Sequence, residues 1–302
     1  MPHASAHPAS TGRGVLASVV ASVLFGFVYF VPALLETLDE WEAVSWRILF
    51  TVPFMALLLY VVRAWGSVTE ALALLRARPL LVPVLVLNAG MLGVQLWIFA
   101  WAPKTGHGLE AALGYLLMPL VMVLLGVVLH RERLGALRVA AIVAAVFGVG
   151  AALLGAGGLS WSTFVVAIGY PIYFTIRRAL GLDTPGAMWL ELVVLVPVAA
   201  WLAAGPGSTL ARGDGLPWGT LVVFGAVSAV ALTLYIVASR LLSFSLFGLL
   251  SYVEPIVLVL VALVLLRETV DPSEYAVYAG IGAAVLLLIV EGVAATRRRT
   301  AT

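Results

Sequence analysis

Few ionisable side chains lie within the apolar part of this sequence, and those few set the chemistry that the chain could perform. The candidates are Arg47, Glu110, Glu191 and Glu254. A carboxyl group in an apolar segment can take up and release a proton, and an arginine can hold a carboxylate or phosphate through two parallel hydrogen bonds. We therefore predict that Arg47 and Glu254 bind substrate, and that Glu254, Glu191 and Glu110 are the candidates for coupling.

Each of these residues also has a structural interpretation. Glu254 falls near the middle of a predicted helix over 245–266, where an ionised carboxylate costs about 2.5–3.5 kcal/mol. It is therefore expected to be protonated, paired or in a wet cavity, and the structural alternative is a neutral carboxyl that hydrogen-bonds between helices. Arg47 could equally extend to the membrane interface. Glu110 begins a helix, where a carboxylate is electrostatically favourable and serves as a cap. Arg47 is expected one turn inside the outer end of its helix and Glu191 about one turn inside the cytoplasmic end of its helix. Because these ends lie on opposite sides of the membrane, no direct ion pair between the two residues is expected.

Amide and aromatic side chains add hydrogen-bonding and stacking capacity. Asn88 and Gln95 are the only Asn and Gln of the chain, and their spacing of seven residues places them on one helix face. They act either as hydrogen-bonding contacts between helices or as a polar stripe that faces a substrate. Stacking on a planar or cationic substrate is predicted for Trp97, Tyr115, Tyr252, Tyr173 and Tyr29.

Two prolines are predicted to break helices beside a cavity. Pro119 and Pro255 are expected near the middle of their helices, where each lacks an N–H and displaces the carbonyl group four residues earlier. Such carbonyl groups are tolerated in a membrane where the backbone lines a cavity. An ordinary packing kink is an equal alternative, and the symmetric placement of the two prolines supports the cavity.

The elements that must position these residues follow from composition. The chain has 302 residues, 63% hydrophobic and 11% charged, with a mean hydropathy of +1.12. A soluble domain is about a quarter charged, so a membrane protein is predicted. The absence of cysteine and the scattered histidines argue against a metal site or cofactor. The net charge of +2 argues against a nucleic-acid partner, and the sequence supplies no catalytic pair, so no enzyme activity is expected.

Ten apolar segments are long enough to cross a bilayer, which needs roughly 20 residues per helix. They are 14–35, 43–63, 80–102, 109–130, 135–155, 160–178, 187–204, 217–239, 245–266 and 274–294. A further segment over 66–78 is typical of a short amphipathic helix on the membrane surface. With a cytoplasmic N-terminus, 13 of the 17 Lys and Arg residues face the cytoplasm, and both termini lie there.

An internal repeat indicates a duplication. The windows that begin at Pro119 and Pro255 match at 8 of 14 positions, and both end in Arg-Glu, at Glu132 and Glu268. Because each repeat holds five helices, the second is inverted relative to the first, as in many secondary transporters. The two glutamates are expected to pair with neighbouring arginines or to cap the following helix. The predicted division is a tail over 1–13, a first repeat over 14–155, an inverted repeat over 160–294 and a basic tail over 295–302.

Several motifs resemble one transporter family. Glu110-Ala-Ala-Leu-Gly-Tyr-Leu-Leu-Met-Pro119, followed by Arg131-Glu132-Arg133, is similar to the RarD-type branch of the EamA-domain drug/metabolite transporter superfamily. Ser45-Trp-Arg47, Glu191 before Val196-Pro197, Ser239-Arg240, and Tyr252 with Glu268 fit the same pattern, and Glu254 departs from it. The resemblance covers about 13–295 and implies a ten-helix carrier of the bacterial inner membrane.

The predicted protein is therefore an all-α membrane protein whose two inverted five-helix repeats move a small amphiphilic metabolite or drug. Export by alternating access around a midplane cavity is expected, with or without proton coupling. The alternatives are a uniporter or facilitator, an exchanger of amino-acid-like solutes, and a flippase for a lipid intermediate. The expected partners are the solute, the bilayer and protons, and the expected oligomeric state is a monomer or homodimer.

Overall fold

The computed structural model describes residues 8–130, 136–154, 159–242, 247, 250–272 and 275–300. No strand occurs in this part of the chain. Its helices are α1 (Pro8–Leu34), α2 (Glu40–Val61), α3 (Gly66–Ala77), α4 (Leu81–Thr105), α5 (Gly108–His130), α6 (Ala136–Leu154), α7 (Trp161–Leu180), α8 (Pro185–Ala204), α9 (Trp218–Leu241), α10 (Val253–Leu260, continued by a π-helical turn Val261–Leu265) and α11 (Tyr275–Thr300). The all-helical prediction is confirmed, and each predicted segment overlaps one of these helices.

Helix boundaries coincide with residues that favour them. The Asp39 side chain accepts a hydrogen bond from the Glu42 backbone N–H at 2.7 Å and so caps α2. Thr184 caps α8 in the same way through Ala187, at 3.2 Å, and Pro185 occupies the first helical position. Helix α4 ends at Gly106, whose φ of 75° lies in the left-handed region that glycine adopts without strain.

The surfaces of these helices are those of a multi-pass membrane protein. Five helices, α1, α2, α4, α8 and α9, are long and apolar enough to cross a bilayer, and α5, α6, α10 and α11 contain shorter apolar stretches. Large apolar side chains are widely exposed, among them Tyr60, Val143 and Leu286. Exposed tryptophans begin α2, α7 and α9, as expected where rings sit at the lipid headgroups.

The chain forms two compact units. Unit A comprises Leu24–His107 and Ile172–Thr233. Within it α8 packs against α2, α3 and α4, and α2 also packs against α4. The amphipathic prediction for α3 is confirmed, because Val68, Ala71 and Leu75 are buried whereas Glu70 and Arg76 are exposed.

Unit B comprises Met1–Val23, Gly108–Pro171 and Leu234–Thr302. Within it α6 packs against α11, and α10 packs against α5. The α6–α11 contact is close because both helices present a glycine: a Cβ atom on Gly280 would lie 2.7 Å from the Cα atom of Gly148. Each unit draws residues from both halves of the sequence. The ten-span, inverted-repeat arrangement remains a prediction.

Helix α10 differs from the prediction of a continuous helix over 245–266. The structure has a turn at Ser251 and Tyr252, and the helix begins at Val253. Glu254 therefore lies in the first helical turn and not at mid-helix. Pro255 lies in that turn too, where the backbone N–H groups have no partner within the helix. Its missing N–H therefore breaks no hydrogen bond of α10, so proline is accommodated there without a kink.

Candidate functional site

The predicted site residues fall into both units. Unit A holds Tyr29, Arg47, Asn88, Gln95, Trp97, Tyr173 and Glu191, and unit B holds Glu110, Tyr115, Pro119, Tyr252, Glu254 and Pro255. Position 119 lies at the middle of α5, as predicted, because that helix runs unbroken from Gly108 to His130. The motif residues Arg131, Glu132 and Arg133 lie outside the described residues.

Arg47 is buried within unit A. Its Nε atom donates a hydrogen bond to the Ser228 hydroxyl at 3.1 Å, and that hydroxyl donates to the Phe224 carbonyl at 2.7 Å. The guanidinium carbon lies 5.2 Å from the centre of the Phe99 ring and 5.6 Å from that of Phe224. With only 4% of the residue exposed, Arg47 is enclosed by protein atoms. An arginine between two aromatic rings combines cation–π attraction with a planar fork of N–H donors suited to an anion.

Helix α4 presents a buried stripe that carries both amides. Its members recur every three or four residues and are all buried: Leu81, Leu85, Asn88, Leu92, Gln95 and Phe99. The predicted common face of Asn88 and Gln95 is confirmed by their joint burial. Among the described residues, neither the Oδ1 nor the Nδ2 atom of Asn88 has a hydrogen-bond partner. The structure therefore shows no interhelical hydrogen bond for Asn88.

Glu191 belongs to a buried cluster that sequence reasoning missed in part. Its Oε2 atom accepts hydrogen bonds from Arg177 Nη1 at 2.6 Å and from the Tyr173 hydroxyl at 2.5 Å. Arg177 also donates to the Tyr173 hydroxyl, and its Nη2 atom donates to the Thr184 carbonyl at 2.9 Å. The three interacting side chains are at most 4% exposed.

Arg177 is one of the 13 basic residues that the predicted topology places on the cytoplasmic side. The signal that could have revealed its second role is the short turn between α7 and α8. Such a turn makes the two helices neighbours and brings the last turn of α7 against the first turns of α8. Glu191, two turns into α8, is then within reach of an arginine at the end of α7.

The aromatic residues contact protein rings. Tyr29 meets Phe99 edge-on at 4.7 Å between ring centres. Trp97 lies in a near-parallel stack with Trp41 and Trp101, at 4.9 and 5.7 Å. Both side chains thus already pack against aromatic rings of the protein. The predicted substrate role of Trp97 and Tyr29 stays a prediction.

Two further predicted aromatic residues lie in unit B. The Tyr115 hydroxyl donates to the Tyr170 hydroxyl at 3.4 Å, and the two ring centres are 5.6 Å apart. Tyr252 is buried among apolar side chains of α5, α6 and α11. Their substrate roles stay predictions as well.

Glu268 and Glu110 join helix ends within unit B. The Glu268 carboxylate accepts hydrogen bonds from the backbone N–H groups of Gly108 and Leu109, at 2.8 and 2.7 Å. It therefore caps α5, an earlier helix, and the prediction that it caps the following helix is wrong. The cap of α5 comes from Glu268, whereas the Glu110 carboxylate accepts from Ser162 Oγ at 3.4 Å and its carbonyl accepts from Thr163 Oγ1 at 2.8 Å.

Within the described ranges, no group of three or more His, Asp or Glu side chains is arranged to hold a metal ion. The predicted site residues of unit A include a buried arginine, two buried amides and a glutamate that pairs with Arg177. Side chains of these types are able to bind a polar solute through hydrogen bonds and charge, and a substrate role for them stays a prediction.

Comparison with known proteins identifies the relatives of this chain. A Haemophilus influenzae protein described as an uncharacterized transporter is 36% identical over 93% of this chain and 94% of its own length. The chloramphenicol-sensitive protein RarD of Pseudomonas aeruginosa is 40% identical, with 92% and 93% covered, and protein RarD of Salmonella typhimurium is 28% identical, with 96% and 98% covered. No family model matches the chain. Identity of this extent over nearly the whole length, on an apolar helical chain, confirms the resemblance seen in the motifs: the chain belongs to the RarD-type family of membrane transporters.

Proposed function

We propose that this chain is a secondary transporter that exports a small amphiphilic metabolite or drug by alternating access. The observation that carries the proposal is the burial of Arg47 within the apolar helices of unit A. Burying a charge is costly, and ionisable groups within membrane segments face cavities and mark substrate or ion pathways. The amides of α4 and the Arg177–Glu191 pair add further buried polarity to the same unit. The transporter names of the relatives support the same class.

The hydrogen bonds of unit A are consistent with the ten-span topology. Glu42 and Thr209, joined at 2.7 Å, belong to segments predicted on the outer side, as do Lys104 and Leu35, joined at 2.6 Å. These contacts support helices that cross the membrane in alternating directions. The proposed location is the bacterial inner membrane with both termini in the cytoplasm, the orientation that the distribution of basic residues favours.

Transport is driven by an ion gradient or by the gradient of the solute. Glu254, Glu191 and Glu110 remain the candidates for proton coupling. The carboxylate of Glu191 is held by the buried cation Arg177, at 2.6 Å. Proton exchange at one of these carboxyl groups is the proposed coupling. The alternative is facilitated transport without proton coupling.

Counterflow into proteoliposomes tests the function. Proteoliposomes that contain the purified protein are loaded in turn with each solute of a panel. The panel comprises amino acids, amines, carboxylates and antibiotics, including chloramphenicol, the compound in the name of the Pseudomonas aeruginosa relative. We expect at least one solute to exchange faster than in protein-free vesicles. Measuring at two pH values shows whether a proton gradient drives the flux. Absence of counterflow for the whole panel, with correctly folded protein, would contradict the proposal.

The Arg47→Gln variant tests the role of the buried cation. Loss of a charge-assisted bidentate contact is worth roughly 1.5–3 kcal/mol, so we expect kcat/KM for a carboxylate or phosphate solute to fall by about tenfold or more. Arg212→Gln is the matched control, because Arg212 is exposed and pairs with Asp214 at 2.9 Å. Equal transport by both variants would show that Arg47 has a packing role only.

A further inference from the structure

The turn that follows α2 has an arginine where glycine is the usual residue. Arg63 has a φ of 56°, and in the described part of the chain only Arg267 shares a positive φ among residues other than glycine. Arg63 N–H donates to the Tyr60 carbonyl at 3.0 Å, and Ala64 N–H donates to the Leu59 carbonyl at 2.8 Å. This pair of hydrogen bonds is the Schellman motif, whose left-handed position favours glycine because a side chain there is strained. An arginine at this position therefore points to a role for its side chain.

Arg63 lines a surface cavity of about 430 Å³, together with Tyr60, Val61, Trp65 and Gly66. Sites for small ligands have volumes of about 300–1,000 Å³, so the cavity has room for one. Arg63 is exposed, and no carboxylate of the described residues pairs with it. The cavity thus combines an uncompensated cation with an O–H donor on Tyr60 and an N–H donor on Trp65.

The wall of this cavity that Trp65 and the start of α3 provide is fixed by further contacts. The Trp65 ring centre lies 5.4 Å from that of Trp189, whose Nε1 atom donates to the Val52 carbonyl at 3.0 Å. The buried Ser67 hydroxyl accepts a hydrogen bond from Gly186 N–H at 3.0 Å. The start of α3 is therefore held against α8, and Trp189 of α8 is held against α2, before any ligand binds.

The end of α2 places the cavity at the depth of the lipid headgroups. Helix α2 is long and apolar enough to cross a bilayer, so its last residues lie close to the membrane surface. Large side chains with apolar surface are exposed at that end: Leu57, Tyr60, Val61 and Val62. Tyrosine and tryptophan are typical of this interface, where one part of each ring is apolar and the other is polar. The cavity therefore adjoins both headgroups and acyl chains.

The charge of the cavity favours an anionic headgroup. A guanidinium group binds phosphate through two parallel N–H bonds, and its charge strengthens both. An anionic phospholipid brings a phosphate without a second cation, whereas a zwitterionic headgroup also brings a cation that Arg63 repels. The exposed apolar residues at the end of α2 complement the acyl chains of either lipid. The headgroup charge is thus the property on which Arg63 discriminates.

We propose that Arg63, with Tyr60 and Trp65, binds the phosphate group of an anionic phospholipid whose acyl chains lie along the exposed end of α2. The inference goes beyond the proposed transport function and does not depend on which solute is carried. A lipid bound there would connect α2 to the start of α3, which explains an arginine at a strained position of this connection.

The test measures the Tm of the purified full chain in detergent with added lipid, because a ligand of the folded state raises the Tm. The probes are anionic phosphatidylglycerol, zwitterionic phosphatidylcholine with the same acyl chains, and inorganic phosphate as a free anion. Arg63→Gly removes the cation and relieves the backbone strain. Arg267→Gly is the matched control, because Arg267 is also an exposed arginine with a left-handed φ, 57°, and does not line this cavity.

We expect phosphatidylglycerol to stabilise the wild-type protein with an apparent Kd at least about tenfold lower than that of phosphatidylcholine. In Arg63→Gly the apparent Kd for phosphatidylglycerol should rise at least about tenfold, since the charge-assisted bonds to the phosphate are lost. The Tm of Arg63→Gly without lipid should be unchanged or higher. Arg267→Gly should keep the wild-type Kd.

Four results would overturn the site. A cation that only favours the dipole of α2 would lower the Tm of Arg63→Gly without lipid and leave the Kd for phosphatidylglycerol unchanged. An equal loss of binding in both variants would indicate a general effect of net charge. Equal affinity for the two lipids in the wild-type protein would remove the role of headgroup charge. Stabilisation by inorganic phosphate to the same extent as by phosphatidylglycerol would identify a free anion as the ligand.

Discussion

At the scale of single residues, the stability of unit A depends on the buried ion pair between Arg177 and Glu191. The two charges are 4% and 0% exposed, and Arg177 also donates to the backbone at the start of α8. Removing one member of such a pair leaves the other charge buried and uncompensated, which costs more than removing both. The pair thus ties the end of α7 to α8.

The variants Arg177→Met and Arg177→Met/Glu191→Met separate these contributions. We expect the single variant to lose about 3–5 kcal/mol of stability because the carboxylate of Glu191 stays buried alone. The double variant should recover most of that loss. Thermal or denaturant unfolding in detergent measures both. A double variant less stable than the single one would show that the pair stabilises the fold beyond its own charge balance.

At the scale of elements, the contact between α3 and α8 depends on a residue without a side chain. A Cβ atom on Gly186 would lie 2.3 Å from the Ser67 carbonyl carbon and from the Val68 backbone nitrogen. The Ser67 hydroxyl accepts a hydrogen bond from the backbone N–H of Gly186 there, at 3.0 Å. The amphipathic helix is thus held against the start of α8 by close backbone contact, and not by apolar burial alone.

Gly186→Ala should displace α3. We expect a loss of about 1–3 kcal/mol, the usual cost of overpacking, and faster proteolysis between α2 and α4. Gly90→Ala is the control: a Cβ atom there meets nothing within 4 Å, so the change to alanine in a helix should be neutral or stabilising. Limited proteolysis and unfolding of the two variants make the comparison. Equal stability would mean that α3 adjusts freely to the added methyl group.

At the scale of the whole molecule, the absence of cysteine makes the proposed topology directly measurable. Arg78 follows α3, which the topology places on the cytoplasmic side. Asp214 lies between α8 and α9, on the predicted outer side, and both residues are exposed. A single cysteine at either position reports on which side of the membrane that position lies, because this chain has no other thiol.

We expect Asp214→Cys to react with a membrane-impermeant maleimide in intact cells, whereas Arg78→Cys should react only after the membrane is opened. The reason is the excess of arginine and lysine on the cytoplasmic side, with 13 of the 17 residues there in this orientation. Labelling of Arg78→Cys but not of Asp214→Cys in intact cells would show that the orientation is the reverse of the proposed one. Labelling of both would contradict the number of spans between them.

Much of the fold follows from local properties of the sequence. Apolar runs of about 20 residues predicted the positions of the helices, because hydropathy is summed along the chain and does not depend on neighbours. The seven-residue spacing of Asn88 and Gln95 predicted a shared helix face, because seven residues make about two helical turns. The end of the helix over 245–266 was placed correctly, whereas the turn at Ser251 and Tyr252 was not predicted, since an apolar run continues through it.

The amino-acid sequence by itself determined the class of the protein, the approximate limits of its helices, the amphipathic α3 and the family. The tertiary structure decided which polar groups meet. It joined Arg177 to Glu191, placed Glu268 on the start of α5, buried Arg47 between Phe99 and Phe224, and left the Asn88 amide without a hydrogen-bond partner among the described residues. The physical reason is that the membrane environment selects helices by composition, whereas a hydrogen bond or an ion pair depends on which helices are neighbours and in what register.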